Sequence, residues 1–153
     1  MLKKMTAGLL AGIITVSVTA PAVMAGADEV IAYRKGVMNT VRSNAVAIMA
    51  MRRGNLDMED NIGDIAQQMA TASGLVTAAF KVDTSAMDSK EKTTAKDNLV
   101  WANWSDFMEK AVAMQADADA VAALAAAGDV DGAKNAIGNV FRHCKACHDT
   151  YRK

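Results

Sequence analysis

Residues 131–153 read DGAKNAIGNVFRHCKACHDTYRK, and the fold is decided there. Ile137, Val140, Phe141, Cys144, Cys147, His148 and Tyr151 recur at three- and four-residue steps. That spacing lays them along one stripe of an α-helix and does not match the alternation of a strand. The stretch predicts a terminal helix beginning near Asp131, entered through the turn AAAGDVD at residues 125–131.

Working outward, the same periodicity appears three more times. A helix from about Asp28 to Arg53 carries Val30, Val37, Val41, Ala45 and Ile48, with acids in its first turn and Gly54 just past its basic end. A second, from about Met58 to Phe80, carries Ile62, Ile65, Met69, Ala72, Val76 and Phe80. A third, from about Asn98 to Ala126, carries Trp101, Trp104, Met108, Ala111, Val121 and Leu124. Between the second and third, KVDTSAMDSKEKTTAKDN has no period and reads mostly as a loop. The single proline, Pro21, precedes all four helices, and the remainder is rich in strong helix formers. Four amphipathic helices predict an all-α, antiparallel four-helix bundle spanning residues 26–153 as one domain.

The chain opens with Lys3 and Lys4, an apolar run from Ala7 to about Ala20, then Pro21 and small residues up to Ala25. This is the layout of a cleavable signal peptide over residues 1–25. The run is too short for the roughly 20 residues of a membrane span. We therefore expect an exported, periplasmic protein. Lysine and arginine balance aspartate and glutamate at 17 each, and the leader removes two lysines and no acid. A slightly acidic mature chain without a basic arm argues against nucleic-acid binding.

Both cysteines and both histidines of the protein lie within HCKACH at residues 143–148. Four chemistries compete for such a cluster. An oxidising compartment permits a disulfide, but a three-residue helical separation suits redox dithiols better than structural bridges. A thioredoxin-like pair belongs beside a βαβ unit, which this chain lacks. Zinc could use His143, Cys144, Cys147 and His148, yet a structural zinc site normally joins separate segments. Cys-x-x-Cys-His is the attachment signature of c-type haem: two thiols add across the vinyl groups while the next imidazole reaches the iron. We read haem c, one per chain, with Cys144 and Cys147 as thioether cysteines and His148 as iron ligand. His143 reads as a solvent-facing neighbour.

Together with YRKGVM at residues 33–38 and VWANWSDF at residues 100–107, the terminal CKACHDTYRK resembles the class II c-type cytochromes, cytochrome c′ and its low-spin relatives. The resemblance spans essentially the whole mature chain, although the glycines and prolines common before Trp101 in relatives are missing. It implies a four-helix bundle with haem on the C-terminal helix. It implies that Arg34 lies near the haem propionates, that Trp101 and Phe107 line the pocket, and that Arg152 lies beside the proximal face. It also implies that Met38 faces the distal side of the iron, and that two chains can pair into a homodimer.

The family divides on the sixth coordination position. With Met38 bound to iron the protein is a low-spin carrier of single electrons, and a thioether raises the potential into a suitable range. With the position empty it binds nitric oxide or carbon monoxide. We expect Met38 ligation and electron transfer to a redox partner protein, with Arg142, Lys145, Arg152 and Lys153 as a basic rim. No enzyme activity is expected, because no carboxylate pair or activated nucleophile accompanies the motif.

Overall fold

The computed structural model describes residues 26–54 and 56–153. The expected signal peptide at residues 1–25 lies outside the described residues. Six α-helices follow in order: α1 Ala27–Arg52, α2 Ile62–Gly74, α3 Val76–Ala79, α4 Asp97–Val100, α5 Trp104–Ala126 and α6 Val130–Tyr151, with a 3-10 turn at Glu59–Asn61 before α2. No strand occurs among the described residues; an isolated antiparallel bridge joins Ala95 and Arg152.

The four long helices form a closed ring in which α1 packs on α2 and α6, and α5 packs on α2 and α6. Pairings at the two ends give their direction. Lys134 at the start of α6 pairs with Glu59 ahead of α2 at 2.5 Å. At the opposite end, Asp28 at the start of α1 meets the loop at Ser89–Glu91, and Tyr151 at the end of α6 meets Asp106 at the start of α5. The bundle is therefore antiparallel. Ile48, Met69, Val100, Val121, Ile137 and Val140 are fully buried between the helices. Gly54 and Gly128 end α1 and the α5–α6 turn at φ 72° and 79°, the left-handed region that side chains with a Cβ avoid.

Two predicted helices are interrupted. The second begins at Ile62 rather than Met58 and breaks at Leu75, so that α3 is a separate turn. The third breaks at residues 101–103 between α4 and α5. There the Trp101 indole N–H donates to the Phe80 carbonyl at 2.9 Å, a tertiary contact that holds the turn open. The segment 81–96 is irregular, as its lack of period predicts, but it is tied at its middle and at its far end. Asp28 Oδ1 accepts hydrogen bonds from Ser89 Oγ and the Lys90 and Glu91 amides at 2.5–3.3 Å, and the Ala95–Arg152 bridge fixes the far end. Among the described residues no helix is long and apolar enough to cross a membrane.

Candidate haem site

α6 presents Cys144, Cys147 and His148 to a cavity of about 700 Å³, which α1, α5 and the loop at residues 92–95 complete. That volume lies within the roughly 300–1,000 Å³ of cofactor sites. Its walls are chiefly apolar: Met38, Val41 and Ala45 from α1, Phe107, Ala111 and Met114 from α5, Phe141 and Tyr151 from α6, with Val76, Phe80 and Val100 between them. The mouth carries Lys35, Arg42, Lys92, Lys110, Lys145 and Arg152 against one carboxylate, Asp149. Such a slot, chiefly apolar within and cationic at its rim, suits a flat apolar ring bearing two carboxylates.

Both cysteines are free and half-buried. Burial pushes each thiol's pKa up, helped at Cys147 by its neighbour Cys144. Cys144 Sγ lies 3.9 Å from Met114 Sδ. The imidazole of His148 has its pKa lowered, by burial first and then by Arg152. It is neutral at physiological pH and keeps a lone pair for iron. His143 turns away to Asp117 on α5, Nε2 to Oδ2 3.0 Å. No set of three or more side chains able to hold a metal ion occurs among the described residues. A zinc site at HCKACH therefore lacks its fourth and third ligands, whereas thioether attachment with one axial imidazole fits the residues present.

Arg34 and Met38, four residues apart on α1, both line the cavity. Arg34 is 3% exposed. Its Nε donates to the Ala79 carbonyl, Nη1 to Thr84 Oγ1 and Nη2 to the Val82 carbonyl, at 3.2–3.3 Å. Its guanidinium lies over Phe80 at 4.5 Å and Trp101 at 5.0 Å. The structure thus employs Arg34 in holding the start of the long loop, a role the sequence did not announce. Phe107 lines the cavity at the centre of an aromatic cluster, 4.8 Å from Phe80, 5.6 Å from Trp104 and 5.3 Å from Tyr151. Trp101 stands outside the lining residues, against Arg34. Arg152 reaches the mouth from just beyond α6.

Sequence reasoning missed Lys92–Ala95, which line the cavity from an aperiodic loop, and Asp106, which accepts the Tyr151 hydroxyl at 2.5 Å. The resemblance drawn from three short motifs is matched along the chain. The family profile described as cytochrome C′ matches residues 29–152. Cytochrome c′ of Alcaligenes xylosoxydans xylosoxydans is 28% identical over 127 residues, 82% of this chain and 94% of that protein. Cytochrome c-556 of Agrobacterium fabrum is 29% identical over 151 residues, 99% of this chain and 95% of that one. Among solved structures, the nitric oxide complex of a single-residue mutant of cytochrome c prime from Alcaligenes xylosoxidans superposes with a TM-score of 0.72 at 29% identity, covering 84% of this chain and 99% of that one. A bundle that opens a cavity onto Cys144, Cys147 and His148, in a sequence matched from residue 29 to residue 152, makes the chain a member of the cytochrome c′ family, whose proteins carry a covalently attached c-type haem.

Proposed function

We propose that this protein binds a small uncharged diatomic ligand, nitric oxide or carbon monoxide, at a five-coordinate haem iron held by His148. The observation that carries the reading is the wall that α1 turns toward the cavity. On its inner part Met38, Val41 and Ala45 offer no hydrogen-bond donor and Arg34 commits its bonded donors to Ala79, Val82 and Thr84, while the donors of Lys35, Asn39 and Arg42 belong to exposed residues. An inner distal wall that keeps its donors at the exposed edge suits ligands that need none, and disfavours charged ones. The nitric oxide complex of the Alcaligenes relative supports the same choice.

When bound, haem supplies an iron that exists as ferrous or ferric and can take a diatomic ligand on one face. The chain does the rest. Cys144 and Cys147 fix the ring to α6, His148 offers a neutral imidazole, and Phe80, Phe107 and Phe141 exclude water from the walls. Asp149 is the one carboxylate among the lining residues, which favours ligand binding or electron exchange over substrate turnover.

A second reading keeps Met38 as the sixth ligand of a low-spin electron carrier. Its support is the presence of Met38 among the lining residues and the relatives that bear the name cytochrome c-556. On that reading the cationic mouth favours an acidic redox partner. The groove between α1 and α2, with exposed Tyr33 and Leu75, favours pairing of two chains. Export to the periplasm belongs to both readings. One titration decides between them. The purified ferrous protein should take up carbon monoxide rapidly and without a spin-state barrier, and Met38→Ala should leave that uptake nearly unchanged. A low-spin spectrum of the unmodified protein that Met38→Ala turns high-spin would overturn the five-coordinate reading in favour of Met38 ligation, whereas a high-spin protein with slow uptake has Met38 only covering the site.

A further inference from the structure

His148 sits in the last turn of α6, five residues from the end of the chain. A terminal helical turn normally frays, because its last carbonyls have no partner inside the helix. In this protein the partners come from elsewhere in the chain. The Lys96 amide donates to the Tyr151 carbonyl at 2.8 Å, and Lys96 Nζ donates to the Thr150 carbonyl at 3.3 Å. In return the Lys153 amide donates to the Thr94 carbonyl at 2.7 Å, completing the bridge between Ala95 and Arg152. The loop thus caps the helix.

A second hold acts through a side chain. Tyr151 is 4% exposed; its hydroxyl donates to Asp106 Oδ2 at 2.5 Å and lies 3.4 Å from the Asn103 carbonyl, and its ring meets Phe107 edge-on at 5.3 Å. Asp106 is itself kept in place by Lys110, Nζ to Oδ1 2.6 Å. Burial first, then the bond to Asp106, pushes the phenol's pKa up to about 12, so it remains a donor at any physiological pH. The two holds act on one turn, from the α3–α4 loop and from α5.

We propose that Tyr151 and Asp106, together with the main chain of Thr94–Lys96, are positioning residues for His148: they keep its turn from fraying and so fix the direction of the imidazole in the cavity. The proposal rests on His148 being the axial ligand. A tyrosine that merely filled the core would tolerate loss of its hydroxyl without any change at the iron.

The test uses ferric holo-protein with both histidines labelled with nitrogen-15, because only a ring bound to iron shows a large hyperfine shift. Tyr151→Phe preserves the ring packing. It should leave haem attached and helix content unchanged, speed amide exchange across residues 147–153 by about tenfold, as expected for one lost hydrogen bond, and move and broaden the shifted histidine signal. Asp106→Asn, which retains an acceptor, should fall between wild type and Tyr151→Phe. Thr150→Ala, which removes only an exposed hydroxyl bonded to the Ala146 carbonyl within α6, should match wild type. A His148 signal that Tyr151→Phe leaves where it was overturns the positioning role. If the shifted ring in the wild type belongs to His143, the ligand assignment fails instead.

Discussion

One buried guanidinium holds the entry to the long loop, and its cost of removal can be argued from its partners. Arg34 makes three hydrogen bonds and lies on two aromatic faces. Replacing it with Met leaves the Ala79 and Val82 carbonyls and Thr84 short of donors. It also deprives the partly buried Asp97, whose Oδ1 has no hydrogen-bond partner, of a nearby cation. We expect Arg34→Met to destabilise the holo-protein by about 2–4 kcal/mol in urea unfolding. Arg34→Lys should recover only a minor part, since an ammonium cannot present three directed donors while stacking flat between rings. Arg34 was visible in the sequence as part of YRKGVM, but its work was not. Its acceptors come 45–50 residues later, and two are main-chain carbonyls, which leave no mark in a sequence. Cys144, Cys147 and His148 were readable for the opposite reason, because a helix brings residues three and four apart together without help from the rest of the chain.

At the scale of elements, α6 shows how one side chain sets a boundary. Asp129 is its N-cap, and its carboxylate accepts from the Gly132 amide at 2.8 Å. A Cβ on Gly132 would overlap the Asp129 carboxylate, so alanine there must shift the capping side chain. Gly→Ala within a helix ordinarily stabilises by up to about 1 kcal/mol, while losing a cap costs about 0.5–2 kcal/mol. Gly132→Ala should therefore be neutral or destabilising in the wild type, and stabilising once Asp129→Ala has already removed the carboxylate. A thermal or urea double-mutant cycle reads that change of sign; equal effects in both backgrounds would contradict the cap. The ends of α1 and α6 were predicted within a residue or two because glycine, acid and base signals coincide there. The breaks at Leu75 and at residues 101–103 were not foreseen. Each is only one to three residues long and leaves the apolar stripe nearly in phase, and the turn at Trp101 depends on a bond to Phe80, 21 residues earlier.

For the molecule as a whole, the architecture was legible because the hydrophobic stripes alone demand a bundle, while the long loop's path was not, because polar residues tied through main-chain bonds carry no period. The cavity gives the bundle a further property. Four helices with this much apolar wall turned inward need an occupant. An apolar wall left to water forgoes about 25 cal/mol for each Å² it would have buried, and domains are stable by only about 5–15 kcal/mol in all. The core beyond the cavity, around Ile48, Met69 and Ile137, remains complete, so helices should still form and associate. A Cys144→Ser, Cys147→Ser chain, unable to attach haem, should therefore keep much of its far-ultraviolet circular dichroism while losing the near-ultraviolet signal. It should bind a hydrophobic dye and unfold over a broad temperature range, the behaviour of a compact state without fixed packing. If the haem-free variant instead unfolds in one sharp transition within a few degrees of the holo-protein, the helices close over the cavity by themselves, and the haem is a passenger in the fold rather than part of its core.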